Sequence, residues 1–355
     1  MKKNTDKAGV KEIARRAKVS LATVDRVIHN RSGVSEKTRS KIQAIVNELN
    51  YQPNVLAQRL ALTARGRIRL AVLLPAVSEE TAYRQAPLDG INSAESEISQ
   101  YGIHIERYFF DQGDSKSFAA EAERLMNYRP DGFLFTPVFP EEAIGLIKWG
   151  EGADIPYAVI NSAIPDYDYS GYIGPDSFHS GYLSAQLVDY CIDDNDAVLI
   201  VNIPGGVKSN YGIRHKEEGF RAYFKDNELP NRLISFDTAQ TDYGGMAGKL
   251  LTLMKKEKNI GAIFVTNSLV SLVARHLEQQ GLDDIILLGN DLTQENIAYL
   301  EKGNIDFLIC EQPREQGYRG VMALFQHLVF SKEIEKSYLT PIDIITRQNY
   351  PFYRN

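Results

Sequence analysis

Seven residues near the amino end carry the most legible chemistry in this chain. Ser20, Leu21, Ala22, Thr23, Asp25, Arg26 and His29 lie within residues 17–31, AKVSLATVDRVIHNR. Arg26 offers paired N–H groups that match the O6 and N7 acceptors of a guanine. Leu21 and Ala22 offer apolar contact of the kind a thymine methyl accepts. Ser20, Thr23 and His29 suit phosphates, which fix position without carrying sequence information. Asp25 is awkward, because phosphates repel a carboxylate. It pairs with a neighbouring arginine and holds it in place, or it accepts from a cytosine amino group. The pairing role comes first, since arginine meets base edges more often than aspartate does.

These side chains act together only if one rigid element presents them. Ile13, Ala14 and Ala17 repeat on one helical face, and Val24, Val27 and Ile28 on another. Lys18-Val19-Ser20 between them is too short to be a loop of its own. The Ser20 hydroxyl is placed to cap a second helix over about Leu21 to His29. Two short helices joined by so tight a turn form a helix-turn-helix. They need a third to close a core, and Glu36 to Leu49 supplies Ile42, Ile45, Val46 and Leu49. In this geometry the start of the second helix meets base edges in the major groove. A plain solvated bundle would show the same periodicity, but the charge argues against it. Residues 1–69 hold 16 Lys and Arg against 5 Asp and Glu, a net of +11, while the remaining 286 residues carry a net of −17. A basic head on an acidic body is the electrostatic footprint of a polyanion binder.

The whole chain, 355 residues with 43% hydrophobic and 24% charged side chains, has room for two or three domains with sizeable cores. No apolar run approaches the roughly 18 residues of a membrane span. MKKNTDKAGVKEIA has basic residues but no apolar segment, so it does not read as a secretory signal. Cys191 and Cys310 are far apart with no partnering spacing, and they read as buried reduced residues of a cytoplasmic protein.

From Ile68 the texture changes. Short apolar runs alternate with helical patterns. Strands are expected at 69–75, 103–110, 131–137, 155–161, 196–202, 232–237, 261–267, 284–291, 305–313 and 341–347. Helices are expected at about 83–100, 116–128, 141–151, 176–191, 211–226, 243–256, 268–280 and 317–329. Such alternation implies parallel sheets with helical crossovers, in two similar subdomains. The expected fold class is α/β: a small all-α headpiece followed by two doubly wound parallel-sheet subdomains. Ligands of such sheets sit outside the carboxyl ends of the strands.

Residues 10–61 carry V-x-x-I-A-x-x-A-x-V-S-x-x-T-V-x-R-V, V-S-x-x-T-R, L-N-Y-x-P-N and A-x-x-L-A in that order. In these motifs and their spacing the chain resembles the LacI/GalR family of bacterial repressors. Asp25 departs from the family, which usually has serine there. The resemblance implies a headpiece over 1–52, a hinge helix and linker over 53–66, and a periplasmic-binding-protein-like ligand domain over 67–355. It implies crossings between subdomains near 162, 313 and 335. The first subdomain is then about 67–162 and 314–334, and the second about 163–313 and 335–355. It further implies a homodimer on operator DNA, a small sugar-like effector and no cofactor or metal. Leu60, with Ala57 and Asn54 before it, would take the hinge's minor-groove position, where apolar wedges unstack a base step.

Also by resemblance, the effector contacts are Ser78, Tyr83, Thr136 and Asn161 from the first half. From the second come Asp176, Arg214, Lys216, Asn267, Asp291 and Gln312. Asp291 stands in Gly289-Asn290-Asp291 and would accept from two sugar hydroxyls. Lys216 replaces the family arginine, with Arg214 as a nearby substitute, and a lysine lacks arginine's planar fork. Ser268 replaces the aspartate of the family's N-D pair. Any single one of these positions could instead be a strand-end cap or a surface polar residue.

Enzyme signatures are weak. GGMAGKL at 244–250 lacks one spacer and the final Ser or Thr of a phosphate loop. No G-x-S-x-G is present and the six histidines show no metal spacing. The expected function is sequence-specific transcriptional regulation, repression first, under control of a small solute. A solute receptor with no DNA role, or a sugar-modifying enzyme in the same cleft, is the alternative.

Overall fold

The computed structural model describes residues 10–28, 33–49, 68–77, 85–164, 167–203, 211–238, 240 and 242–353. Three helices come first: α1 (Val10–Ala17), α2 (Leu21–Ile28) and α3 (Glu36–Glu48). Ile13, Ala14, Ala17, Val24, Val27 and Ile42 close their core, with Ile45, Val46 and Leu49 packed against it. The third helix therefore supplies the apolar face that the first two lack.

Two α/β lobes follow. The first contains β1 (Ile68–Pro75), α4 (Gln85–Ile98), β2 (Ile103–Phe110), α5 (Ser115–Tyr128), β3 (Gly132–Phe135), α6 (Pro140–Gly152), β4 (Tyr157–Ile160) and β5 (Tyr172–Gly174). The second contains α7 (Ser177–Asp189), β6 (Ala197–Asn202), α8 (Tyr211–Asp226), β7 (Arg232–Asp237) and α9 (Tyr243–Lys256). It continues with β8 (Ile260–Val265), α10 (Val270–Gln280), β9 (Ile286–Asn290), α11 (Gln294–Lys302) and β10 (Phe307–Cys310). The chain then returns through α12 (Pro313–Phe330), β11 (Ser337–Leu339) and β12 (Asp343–Ile345).

The sheets run β11-β5-β4-β3-β1-β2 and β12-β10-β9-β8-β6-β7. The two lobes thus share one winding, each closed by a late edge strand. The first sheet is parallel throughout, whereas β12 lies antiparallel to β10. Both faces of each sheet are covered, which is why the strands are nearly all apolar. On β1, Ala71 and Leu73 face one core while Leu70, Val72 and Leu74 face the other. On β6, Leu199 and Val201 take one side, Val198 and Ile200 the other.

The expected crossings at 162 and 335 are corrected. β5 and β11 both belong to the first sheet, so the chain changes lobe after Gly174 and after Leu339. Three-residue strands show no periodicity of their own, and only pairing partners reveal them. α11 was not expected either, although Thr293 caps it and Gly303, at φ 87°, ends it. α12 begins four residues earlier than its apolar pattern, at Pro313, a residue that suits a first helical turn.

Each lobe has one helix pair in close backbone contact. A Cβ on Gly90 would meet the Arg314 carbonyl at 1.9 Å, and one on Gly317 would meet the Pro87 carbonyl at 2.1 Å. In the second lobe, Gly181 faces the Lys216 carbonyl at 1.9 Å and Gly219 faces that of Phe178 at 1.9 Å. The obstacles are backbone atoms, so neither pair can make room without moving a helix. This places the backbone of Lys216.

Candidate functional site

Two sites emerge, one on the headpiece and one at the carboxyl ends of the second sheet. In the headpiece, Lys18 takes a left-handed φ of 58° and turns the chain between α1 and α2. The Ser20 hydroxyl accepts from the Thr23 N–H at 3.1 Å and shares a 2.9 Å bond with the Thr23 hydroxyl. Ser35 and Thr38 repeat this arrangement before α3. Lys41 Nζ donates to the Ala17 carbonyl at 2.9 Å, a cation on the negative end of α1. Arg16 bridges Glu12 and Glu48, tying α1 to α3. Hydrogen bonds from Arg15 and then Arg16 hold the Glu12 carboxyl down at about 2.

α2 presents Leu21, Ala22 and Arg26 to solvent, and Leu21 is 48% exposed. An apolar side chain held out at the first turn of a capped helix gains nothing for this fold. Arg26 makes no hydrogen bond or ion pair among the described residues. Ser20 and Thr23 share one hydroxyl hydrogen bond within the cap, which leaves one hydroxyl proton and the remaining lone pairs for another partner. The Asp25 side chain and residues His29, Asn54, Ala57, Leu60, Ser78 and Tyr83 lie outside the described residues.

The second site centres on Lys216, which is 8% exposed. Its ammonium lies 2.9 Å from Glu311 Oε1 and donates to Asn290 Oδ1 at 2.9 Å. Asn290 donates in turn to the Val265 carbonyl at 2.9 Å. Asp291 follows directly, at the end of β9. Its side chain makes no hydrogen bond or ion pair among the described residues, while its backbone carbonyl accepts from Asn296 Nδ2 at 3.0 Å. Fully buried Asn296 also donates to the carbonyls of Ser268 and Asn290, so one amide locks the loops after β8 and β9 together. Burial pushes the Asp291 carboxyl up to about 6; the Lys216 ammonium opposes the rise and the Glu311 charge adds to it.

Three expected contacts, Asn161, Asp291 and Gln312, adopt left-handed φ of 72°, 66° and 54° at the ends of β4, β9 and β10. Such conformations cost on the order of 1–3 kcal/mol each for non-glycine residues and concentrate at functional sites. Asn161 is exposed and bonds only to the Ser162 hydroxyl through its side chain. Thr136 is buried just after β3.

Several expected contacts have other occupations. Gln312 donates to Asp343 Oδ2 at 2.7 Å, and it is Glu311, the residue before it, that reaches Lys216. Arg214 does not substitute for Lys216. Residues two apart on a helix point to nearly opposite sides, and Arg214 is 70% exposed with only a 4.0 Å pairing to Glu218. Asp176 caps α7, accepting from the His179 N–H at 3.0 Å and pairing with the ring at 2.8 Å. Burial opposes its ionisation, but those His179 contacts outweigh it and the carboxyl lies below its usual range. Asn267 donates to the Ile203 carbonyl at 2.6 Å and accepts from the Leu269 N–H, tethering its loop. Glu311, Asn290 and Asn296 escaped sequence reasoning. Asn290 sits inside the G-N-D motif, and Asn296 three residues after a capping threonine, so both had a signal.

Across the junction, the Tyr172 hydroxyl of the first lobe donates to the Pro175 carbonyl at 2.8 Å. Burial raises its pKa far above the phenol range, with the nearby Glu311 charge adding. Glu311 thus faces both lobes. The cluster can accept hydrogen bonds from hydroxyl or ammonium donors at two carboxylates and donate through one ammonium. No group of three metal-ligating side chains forms among the described residues.

Residues 70–332 match the periplasmic binding protein domain family, and residues 9–54 match the bacterial regulatory proteins of the lacI family. The transcriptional regulator MalR of Streptococcus pneumoniae is 24% identical over 92% of this chain and 99% of its own. The crystal structure assigned to a LacI transcriptional regulator of Bacteroides fragilis is 27% identical, with a TM-score of 0.75 over 81% of this chain and all of that one. GanP, a glucose-galactose binding protein of Geobacillus stearothermophilus, shares the fold at 21% identity, with a TM-score of 0.71 over 80% of this chain and 99% of that one. A capped helix-turn-helix joined to a two-lobed binding fold thus has whole-length counterparts, and the chain belongs to the LacI family of DNA-binding transcriptional regulators.

Proposed function

We propose that this regulator is a cytoplasmic repressor without catalytic activity that pairs as a homodimer on a near-palindromic operator. A small polyhydroxylated solute held between its lobes sets its operator affinity. The observation that carries this reading is the coexistence in one chain of two uncommitted recognition groups: Arg26 on the capped α2, and Asp291 on the floor of the Lys216 cluster. Neither side chain makes a hydrogen bond or ion pair among the described residues. Two headpieces related by a two-fold axis would read two half-sites. Lobe closure around the solute would favour one arrangement of the pair, and Leu60 of the hinge would enter or leave the minor groove with it. The relatives support this direction: one is a sucrose operon repressor of Escherichia coli, 30% identical over half of this chain.

Selection of genomic DNA fragments by the purified protein tests the reading. A recovered near-palindrome whose binding shifts with a sugar-like solute is the expected outcome. Weak, sequence-blind binding at all salt concentrations, with or without solutes, would remove the operator role. Turnover of a sugar by the same preparation would favour an enzyme.

A further inference from the structure

Among the described residues the charges around Lys216 do not balance, and the imbalance points to a class of ligand. One ammonium faces two carboxylates, and it is already matched. Glu311 Oε1 lies 2.9 Å from Lys216 Nζ, in a pair whose side chains are only 10% and 13% exposed. A second proton of the ammonium is taken by Asn290 Oδ1. Asp291 has no hydrogen-bonded or ion-paired counterpart among the described residues, and the Lys216 ammonium reaches it only through its field. It shares no bond with Lys216, its neighbours on the loop bind only its backbone, and its left-handed φ of 66° holds the carboxyl at the end of β9. Glu311 supplies the second negative charge: it takes the Lys216 ammonium into its own ion pair, and its charge pushes the Asp291 carboxyl further up.

A half-buried carboxylate left unpaired as the lobes close over it is costly unless a charge or a proton arrives with the ligand. A neutral sugar brings hydroxyl donors but no charge. An anionic sugar, such as a phosphate or an acid, finds its natural partner Lys216 occupied and meets a net negative wall. An ammonium brings both donors and charge, and its hydrogen bonds to a carboxylate are roughly twice as strong as neutral ones. We propose that the effector is an amino sugar, a polyhydroxylated solute whose protonated amine pairs with Asp291, and that Glu311 is the residue that selects for this charge by holding Lys216 away. This rests on the reading of the cleft as the effector site. It adds the sign of the ligand's charge and the residue responsible.

The test is isothermal titration of the full chain with D-glucosamine, D-galactosamine and D-mannosamine. Each is compared with its parent hexose, its N-acetyl form and its 6-phosphate. One amine is expected to bind at least about tenfold tighter than the other three forms of the same sugar. Its affinity should fall as pH drops below about 6, where Asp291 takes up a proton, while any binding of the parent hexose stays level. Glu311→Gln is expected to reduce the preference for the amine over the hexose by about fivefold or more without abolishing hexose binding. A neutral or phosphorylated form binding as tightly as its amine would overturn the charge assignment and leave the cleft standing as the effector site. A chain that binds no member of the panel overturns the amino-sugar proposal. If solutes of other classes also fail to shift its melting temperature, the effector reading falls with it. An unchanged preference in Glu311→Gln would remove Glu311 from selection.

Discussion

Arg26 and Asp291 are proposed to act for the same physical reason: each is a strong hydrogen-bonding group whose side chain makes no hydrogen bond or ion pair among the described residues. For Arg26 the consequence is sequence preference. Arg26→Ala should weaken binding to the operator by about 1–3 kcal/mol and relax discrimination. Fluorescence anisotropy on operator and scrambled duplexes reads both effects, and equal discrimination by variant and parent would exclude Arg26 from base reading. For Asp291 the consequence is a pH-dependent stability. Its folded carboxyl titrates at about 6, above its value of 3.8 in an unstructured chain. The folded state therefore binds the proton more tightly, so ionising the group costs stability. The penalty is complete above about pH 6 and is relieved as pH falls from 6 toward 4. Asp291→Asn should raise the melting temperature of the ligand-free protein at pH 7.5, and the gain should shrink towards pH 4. The same variant should lose the response to effector while still binding DNA as the ligand-free protein does. A variant no more stable than the parent at pH 7.5 would mean that the carboxylate is satisfied.

At the scale of elements, the two lobes solve one problem twice. Each must place a helix against its neighbour closely enough to aim a side chain at the strand ends, and each does so with a reciprocal pair of glycines, Gly90 with Gly317 and Gly181 with Gly219. Gly181→Ala would drive a methyl into the carbonyl of Lys216, the residue at the centre of the polar cluster. Overpacking of this kind typically costs about 1–3 kcal/mol. The variant should melt earlier and lose effector affinity together, while headpiece binding to DNA in the absence of effector persists. Chemical denaturation and titration on one preparation check this. Lost stability with unchanged effector affinity would show that α8 can shift without moving the Lys216 ammonium.

The whole molecule joins a basic head to an acidic body through a short segment, and two of its three lobe crossings meet at one residue. The carbonyl of Glu311 accepts from Gln316 Nε2 at 2.7 Å and from Thr340 Oγ1 at 3.0 Å, while its carboxylate holds Lys216. A change in charge at the proposed effector site would therefore reach the segments that join the lobes. Coupling of this kind is reciprocal: if effector changes operator affinity by some factor, operator must change effector affinity by the same factor. Titrating effector with and without operator DNA measures this, and unequal factors would require a third state. The +11 head makes a second expectation. Operator affinity should fall by on the order of 10³ or more between 50 and 200 mM salt if six or more phosphates are contacted. Leu60→Gly should weaken specific binding far more than non-specific binding. Equal losses in band shifts on both duplexes would sink the wedge role.

Periodicity and local chemistry settled much of this protein from its sequence. The three headpiece helices, the Ser20 cap, the alternation of strands and helices, and the paired lobes all follow from residue spacing over a few turns or strands. Asp291 and Lys216 entered as candidates because the motifs of the family the chain resembles mark their positions. Three-residue strands carry no pattern, so only sheet pairing could assign β5 and β11 to the first lobe and move the crossings. Nor does chain order say which of two adjacent residues turns into a site. At the end of β10 a left-handed Gln312 sends its amide to Asp343 and leaves Glu311 facing Lys216. That choice is made by backbone conformation and by partners 31 and 95 residues away in the chain, Asp343 and Lys216.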